Sequence, residues 1–241
     1  MKSKIRYIGT LLVLMTASSL SAQEELPKDW NTEKIKGIRF IPYDHYQGNS
    51  YLTENFVPGV VVLDGGIKIA NLNLRYCEYR DELLYYNAEI LTQINIDKIS
   101  IKSFSLTDEN GVVRIFRQQF YNGFIPGNRF FELLCDGDVA LLVYRKVVLQ
   151  DCPVYYDETR GLKNMSFQNA FSYYLYNSKK GYEPIALDKK SLLSKFRESD
   201  QGQVRKILRE NKIRLKDEDS FVKAWKLLSS NNILPVFGSK P

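Results

Sequence analysis

The chain has 241 residues, of which 44% are hydrophobic and 13% are aromatic. This composition is typical of a globular protein and excludes an intrinsically disordered one, and the length is sufficient for one sizeable hydrophobic core. The formal net charge is +6, and His45 is the only histidine, so a metal site built from several imidazoles is excluded.

The N-terminus has the pattern of a secretion signal. Three basic residues among the first six precede an apolar stretch, residues 8–15, and a run of small residues that ends at Ala22. This order predicts a signal peptide over residues 1–22, with cleavage after Ala22. No stretch of the chain reaches the ~20 apolar residues that a membrane-spanning helix needs. We therefore expect an exported protein without a transmembrane segment, in the periplasm or outside the cell.

Positive charge is concentrated near the C-terminus. Cleavage of the signal peptide would remove three basic residues and no acidic one, which leaves a net charge of +3. Residues 178–216 contain twelve Lys or Arg against five Asp or Glu. Such a section attracts anionic groups. Export argues against nucleic acid as the partner.

Residues 60–187 have the pattern of β-strands joined by tight turns. The predicted strands cover residues 60–63, 67–76, 83–86, 94–106, 112–120, 129–134, 139–149, 173–176 and 182–187. Asp64-Gly65-Gly66 is typical of a hairpin turn, and a change of phase near Ala70 indicates a β-bulge. The connections 43–58 and 150–170 are expected to be long loops, where ligands often bind. We predict an antiparallel β-meander over residues 23–187, curved or partly closed.

Residues 188–241 have the spacing of helices. Asp188, Asp200 and Asp217 each precede an apolar pattern with a helical period, and Asp is a favoured N-cap residue. The apolar faces are narrow, so the helices must pack on each other or on the sheet. The predicted fold class is α+β: the β-meander, followed by a bundle of about three short α-helices packed on it.

The cysteines allow two interpretations. Cys77, Cys135 and Cys152 could form one disulfide and leave one thiol, which an oxidising compartment favours. They could also be three buried thiols that pack as small apolar groups. No two of them have the close spacing of a zinc site or a redox pair.

No pattern in the sequence identifies catalytic residues. His45 follows Asp44, but an exposed loop histidine is the more frequent explanation. The sequence contains no phosphate-binding loop, dinucleotide fingerprint or Gly-x-Ser-x-Gly elbow, so no cofactor is predicted. Two acids at strand ends could act together in glycoside hydrolysis, although the sequence does not select which two. The candidates are Glu78, Asp81, Glu82, Glu132, Asp157 and Glu158.

Two sets of residues are candidates for binding. Tyrosine doublets place one ring of each pair on the outer face of a strand, where it can stack on a sugar or peptide. The candidate ligand-binding residues are Tyr85, Tyr155 and Tyr173, for which cross-strand packing is the alternative role. The candidate anion-binding residues are Arg205, Lys206 and Arg209, for which a solvated helix face is the alternative.

The layout also resembles a known group of proteins. The resemblance rests on the leader ending Ser21-Ala22-Gln23, the Asp64-Gly65-Gly66 hairpin, the strand Tyr173-Tyr174-Leu175-Tyr176, and segments 188–196 and 211–216. These features resemble the uncharacterised strand-rich secreted or periplasmic proteins of Bacteroidota. The resemblance covers most of the mature chain and implies export and strands followed by C-terminal helices. The group has no assigned activity, so the resemblance implies no functional residues.

From the sequence we expect a non-catalytic, envelope-associated binding or accessory protein whose partner is an envelope protein or a glycan. One alternative is a carboxylate-dependent hydrolase acting on envelope glycan, which requires two acids converging in a cleft. The other is a peripheral binder of anionic membrane, which requires a basic helical face uninterrupted by acids.

Overall fold

The computed structural model describes residues 35–42, 46–123, 125–158 and 161–237. All of them belong to the unit that extends from Thr32 to Pro241. The predicted signal peptide and His45 lie outside the described residues, so statements about them stay predictions.

Within these ranges the strands come first along the chain and the helices follow. The strands are β1 (Gly37–Arg39), β2 (Val57–Leu63), β3 (Lys68–Cys77), β4 (Glu82–Asn87), β5 (Thr92–Ile96), β6 (Ile101–Thr107), β7 (Val113–Tyr121), β8 (Gly127–Cys135), β9 (Ala140–Tyr144), β10 (Val147–Asp157), β11 (Gly161–Asn169), β12 (Ser172–Asn177) and β13 (Gly181–Ile185). The helices are α1 (Lys189–Ser194), α2 (Glu198–Glu210) and α3 (Glu218–Ser230). A 3-10 turn, Lys98–Ser100, separates β5 from β6. The prediction of strands followed by three short helices is confirmed.

Eleven strands form one antiparallel sheet in the order β1-β5-β4-β3-β2-β6-β7-β8-β9-β12-β13. Two meanders meet at β2, because β3 to β5 follow it on one side and β6 to β9 on the other. The predicted bulge near Ala70 is confirmed by a register shift between Gly59 and Val61, opposite it on β2. The end strands β1 and β13 do not pair with each other, so the sheet is not closed.

The sheet bends strongly between β3 and β8. Three strands lie between them, and at ~4.8 Å per strand a flat sheet would hold them about 19 Å apart. The ring centroids of Tyr76 on β3 and Phe130 on β8 are only 6.2 Å apart. Phe104 and Phe116 stack on each other at 4.6 Å and both contact Tyr76. The concave face of the sheet therefore encloses an aromatic core.

The helices cover another part of the same sheet. Leu141 on β9 and Leu175 on β12 pack in one buried cluster with residues of all three helices. Phe221 and Trp225 on α3 belong to that cluster and are almost fully buried. Burial of these apolar faces stabilises helices of 6 to 13 residues, which would be marginal in isolation.

Two of the three predicted N-caps are confirmed. Asp188 accepts a hydrogen bond from Ser191 N, and Asp217 accepts one from Ser220 N. The prediction for Asp200 is wrong, because α2 begins at Glu198 and Asp200 lies within its first turn. Its carboxylate there still faces the positive end of the helix dipole.

Two predicted strands are each divided in the structure. Segment 94–106 is interrupted because Asp97 caps the 3-10 turn, accepting a hydrogen bond from Ile99 N. Segment 139–149 is interrupted at Arg145 and Lys146, which connect β9 to β10.

The expected loop 150–170 is also corrected, since most of it belongs to the hairpin β10–β11. This hairpin forms a separate two-stranded sheet. Much of it is solvent-exposed on both faces, with Val154, Tyr156 and Leu162 more than half exposed. Apolar and polar residues therefore do not alternate as they do in a strand with one buried face.

No disulfide joins the three cysteines, all of which lie in the described ranges. Cys77 and Cys135 are buried, whereas Cys152 is half-buried. The interpretation as buried apolar thiols therefore describes two of the three. Burial raises the pKa of the Cys135 thiol to about 11, so it is protonated at neutral pH.

Replacement of the α3 cap should destabilise the protein. Asp217→Ala removes a capping box in which Asp217 and Ser220 satisfy each other's backbone N–H groups. We expect a lower urea midpoint of unfolding, measured by circular dichroism. Asp200→Ala is the matched control. Asp200 lies in the first turn of α2 and not at its N-cap, so this substitution should lower the midpoint less. Equal changes would contradict the assignment of the cap.

Candidate functional site

The turn between β3 and β4 carries two buried carboxylates. Glu78 and Asp81 begin and end the turn, and each residue is only 4% exposed. Asp81 has a φ of 58°, in the left-handed region that non-glycine residues seldom adopt. Strained residues of this kind are frequent at functional sites, and the turn is therefore a candidate for one.

Asp81 is fully engaged by hydrogen bonds. Its Oδ1 accepts from the Tyr76 hydroxyl at 2.7 Å and from Phe130 N at 3.3 Å, and its Oδ2 accepts from Lys98 Nζ at 2.6 Å. Burial raises the pKa of Asp81, while the Lys98 ammonium and these hydrogen bonds oppose the rise. The carboxylate thus connects β3, β8 and the 3-10 turn across the bend of the sheet.

A cleft of about 500 Å³ lies beside Asp81. Ten of the described residues line it, from β1, the end of β5, the 3-10 turn, the β3–β4 turn and the start of β4. They are Lys36, Gly37, Ile38, Arg80, Asp81, Glu82, Asn95, Ile96, Asp97 and Lys98. Three cationic and three carboxylate side chains are among these described residues, so their charges have no dominant sign.

Two features of the cleft bear on what it can hold. Glu82 Oε2 is buried and has no hydrogen-bond partner among the described residues. Gly37 allows β1 to approach β5 closely, because a Cβ atom at this position would lie 2.7 Å from the Asn95 carbonyl oxygen. The cleft therefore has a close-packed wall, and behind its surface one oxygen of the lining residue Glu82 is buried without a partner.

A second polar cluster is centred on Arg145, in the connection between β9 and β10. Its Nε donates to Glu132 Oε2 at 2.6 Å, and its two terminal nitrogens donate to Glu218 at 2.9 and 2.7 Å. Glu218 also accepts from the Tyr173 hydroxyl, and Glu132 forms an ion pair with Arg114 at 3.4 Å. Burial alone would lower the pKa of Arg145, but the two carboxylates raise it and keep the guanidinium charged.

Glu78 lies within the electrostatic reach of this cluster and is under-satisfied. Its Oε1 is buried without a hydrogen-bond partner in the described part of the chain. Burial raises the pKa of Glu78 to about 7; Arg145 and Arg114 oppose the rise, and Glu132 adds to it. Glu78 therefore titrates near neutral pH. It does not line the cleft, so it is not placed to exchange a proton with a ligand there.

The structure gives the three predicted ligand-binding tyrosines separate surroundings. Tyr85 is half-buried on β4, opposite Leu74 and Ile94. The Tyr155 hydroxyl accepts from Gln47 N and donates to the Met165 carbonyl. Tyr173 donates to Glu218 and packs against the helical cluster.

The tyrosines therefore do not form one exposed row, and none of the three lines the cleft. In the doublet of β10 the outward ring is Tyr156, which is 70% exposed, rather than Tyr155. A period of two predicts that the rings of a doublet alternate, but it does not predict which of them faces outward.

The predicted anion-binding residues lie together on α2. Arg205, Lys206 and Arg209 are all exposed, and Val204 and Leu208 are buried on the same helix. Arg205 donates to Gln201, and Lys206 lies 3.9 Å from Glu210. Anion binding by this face stays a prediction.

The residues of the cleft and of the charge cluster were only partly identified from the sequence. Glu78, Asp81, Glu82 and Glu132 were among the acids at strand ends. Arg145 was missed, although Arg145-Lys146 within an otherwise apolar segment is a signal that could have identified a buried ion pair. Lys98 and Glu218 carry no local signal, because distant chain segments supply their partners.

Among the described residues, no group of three or more His, Cys, Asp or Glu is arranged to hold a metal ion. None of the described helices is both long enough and apolar enough to cross a membrane.

Glu78 should make stability depend on pH. The pKa of Glu78 is about 7 in the folded state, whereas an unperturbed glutamate has a pKa of 4.5. The folded state therefore binds the proton more tightly than the unfolded state. Stability is therefore lost as pH rises from about 4.5 to 7, by about 3 kcal/mol in total. We expect Glu78→Gln to remove this loss in urea unfolding at pH 4.5 and pH 8. The exposed Glu109→Gln is the control; an unchanged pH dependence in Glu78→Gln would refute the prediction.

Arg145 should contribute far more to the free energy of unfolding than a surface arginine does. Arg145→Met leaves Glu132 buried without its closest cation, and we expect a loss of about 3–5 kcal/mol in the free energy of unfolding. Arg117 pairs with Asp136 at 2.7 Å but both side chains are exposed, so Arg117→Met should cost about 1 kcal/mol or less. Chemical denaturation at pH 6 measures both, and similar losses would contradict the role of Arg145.

Comparison with known proteins assigns neither a family nor a function to the chain. No family model matches the chain, and neither do any curated proteins or solved structures. The resemblance to secreted Bacteroidota proteins therefore stays a prediction, and a function has to be argued from the chemistry of the cleft.

Proposed function

We propose that this protein is an exported, non-catalytic binding or accessory protein whose ligand site is the cleft beside Asp81. The observation that carries the proposal is the set of three hydrogen bonds accepted by Asp81. The most deeply buried carboxylate of the cleft supports the fold and leaves the cleft walls to contact a ligand.

The same observation argues against the hydrolase. A general acid or base must exchange its proton with the substrate, and glycoside hydrolysis uses two such carboxylates. Asp81 is engaged by Tyr76, Lys98 and Phe130, and Asp97 caps the 3-10 turn. Among the described residues that line the cleft, Glu82 is then the carboxylate with a buried oxygen that has no hydrogen-bond partner. A single such group supports binding better than two-carboxylate catalysis.

The size of the cleft also supports a small ligand. Pockets for small molecules span roughly 300–1,000 Å³, and the cleft has about 500 Å³. A fragment of an envelope glycan or of its peptide is of this size. The predicted export of the chain makes the cell envelope the source of the ligand in this proposal.

The anionic-membrane alternative has weaker support. It requires a basic face without acids, and Glu210 lies 3.9 Å from Lys206 on α2. Negative charge so near the basic residues weakens attraction to a lipid surface.

Blocking the cleft tests the proposal. Ile38 lines the cleft and is 70% exposed, so Ile38→Trp should fill space without disturbing the core. Ile41 is exposed and outside the lining, and Ile41→Trp is the matched control. The probe is a mixture of soluble disaccharide-peptides from digested peptidoglycan, with retention measured by equilibrium dialysis.

We expect wild type and Ile41→Trp to retain fragments, and Ile38→Trp to lose at least about tenfold in affinity. Release of reducing ends is measured in the same samples and should stay at background. Equal binding by Ile38→Trp would refute the site. Reducing ends that appear with wild type and vanish with Glu82→Gln would establish the hydrolase instead.

A further inference from the structure

We infer that the sheet carries a second ligand site, for an acidic sugar, on the face that points away from the helices. Its contacts are the guanidinium of Arg129, the amide of Gln119 and the tyrosine rings around them. None of these residues lines the cleft beside Asp81, so the site does not depend on the function proposed for that cleft.

The two faces of the sheet pack differently at β9 and β12. Leu141 on β9 opposes Leu175 on β12, and both pack against the helices. Their neighbours Leu142 and Tyr174 are also opposed and point to the other face, because side chains alternate along a strand. They belong to a separate cluster, whose described members lie on β7, β8, β9, β12 and β13. We call this surface of the five strands the outer face.

The outer face is rich in tyrosine. Four tyrosine rings lie with their centroids 5.2–6.2 Å from that of Phe131, and they are Tyr121, Tyr144, Tyr174 and Tyr182. All but Tyr174 are half-buried, so part of each ring contacts solvent. Burial raises the pKa of Tyr174 to about 12 and also raises the pKa of Tyr144 and Tyr182. These three hydroxyls are therefore neutral at pH 7 and do not repel an anion.

Arg129 lies among these rings without a carboxylate partner in the described part of the chain. Its Cζ is 4.3 Å from the ring centroid of Tyr121 and 4.8 Å from that of Tyr144. A hydrogen bond to the Ile125 carbonyl, at 2.7 Å, uses one of the five N–H donors of the guanidinium. The remaining donors can bind an anion, and a carboxylate matches their planar geometry.

Gln119 adds a donor beside Arg129. The two residues are directly opposed on β7 and β8, and the Cβ atoms of such a pair lie about 5 Å apart. Gln119 Oε1 accepts from the Tyr182 hydroxyl at 2.7 Å, and its Nε2 has no acceptor among the described residues. Both side chains are half-buried, and none of their nitrogens is sealed from solvent without a partner. Accessible N–H groups of two adjacent side chains can therefore bind the same anion.

The charge of the outer face is complementary to an anion. On the described residues of its five strands, no Asp or Glu occupies an outward position. The other outward arginine is Arg117, which already pairs with Asp136 at 2.7 Å. Arg129 is thus the unpaired charge among these outward positions.

The sheet topology favours a sugar over a peptide strand as the ligand. Strands β7, β8, β9 and β12 are paired on both sides, so their backbone groups are already used and cannot pair with an added strand. Recognition has to use side chains, which here supply aromatic rings, neutral hydroxyl and amide groups, and one cation. A sugar that carries a carboxylate presents the matching groups: an apolar C–H face, hydroxyls and an anion.

Three probes separate the contributions of the ring and of the charge. They are trigalacturonate, with sugar rings and carboxylates, galactotriose, with the rings alone, and acetate, with the carboxylate alone. Ligand-observed NMR titration on the full mature chain gives an affinity for each. We expect trigalacturonate to bind at least roughly tenfold more tightly than either of the other probes.

Three variants with the same change of net charge locate the site. Arg129→Gln should reduce the affinity for trigalacturonate to that for galactotriose. Gln119→Glu is nearly isosteric and should do the same, because the new carboxylate would pair with Arg129. Arg205→Gln, on the exposed face of α2, is the control and should leave all affinities unchanged. Circular dichroism verifies that each variant folds.

Contrary outcomes are distinguishable. Equal binding of trigalacturonate and galactotriose by wild type, or no binding of trigalacturonate, would overturn the inferred ligand class. An equal loss in Arg205→Gln and Arg129→Gln would show that net charge alone attracts the probe, which would refute the site. Ile38→Trp fills the cleft and should leave trigalacturonate binding unchanged. If it abolishes that binding, the sugar occupies the cleft and the outer face is not its site.

Discussion

The fold depends on a single guanidinium that lies between two carboxylates. Arg145 joins Glu132 on the sheet to Glu218 at the start of α3, and all three side chains are mostly shielded from water. A charge removed from water is tolerated only when its partners are close and well oriented. The chain therefore has to place a strand, a connection and a helix in one arrangement before this charge is satisfied. Apolar packing of the helices on the sheet is less directional and could not specify their position so narrowly.

The β3–β4 turn links this cluster to the cleft. Glu78 lies on the cluster side of the turn, and its carbonyl accepts a hydrogen bond from Val147 N, next to the Arg145–Lys146 connection. Lys146 Nζ donates to the Tyr79 carbonyl within the same turn. At the other end Asp81 contacts Lys98, a cleft residue. The four residues from Glu78 to Asp81 thus lie between the charge cluster and the walls of the candidate ligand site.

Local chemistry explains which parts of the fold could be predicted. The caps at Asp188 and Asp217 and the bulge near Ala70 depend on neighbouring residues, and all three were predicted correctly. The prediction of one strand over residues 94–106 was wrong because a mostly alternating apolar pattern does not reveal that Asp97 can cap a turn within it. Hairpin β10–β11 was expected as a loop because neither of its faces is continuously buried.

The candidate site depends on contacts between distant segments, which is why it was harder to predict. Strand-end acids were identified as a class, but selecting Asp81 required its contact with Phe130, 49 residues away. Arg145 and Glu218 are 73 residues apart. Contacts of this range arise from the bend of the sheet and the docking of α3, neither of which a periodic pattern encodes.

The hairpin β10–β11 also affects the order in which the chain can fold. Its two strands pair with each other over eight residue pairs, and the innermost, Asp157 with Gly161, are only four residues apart. Once it forms, Tyr144 and Ser172, which are directly opposed on β9 and β12, are brought near each other. Most of the conformational-entropy cost of closing the long connection between them is then incurred before β9 and β12 pair. Pairing within this segment, which lies outside the main sheet, thereby shortens the loop that the pairing of β9 with β12 has to close.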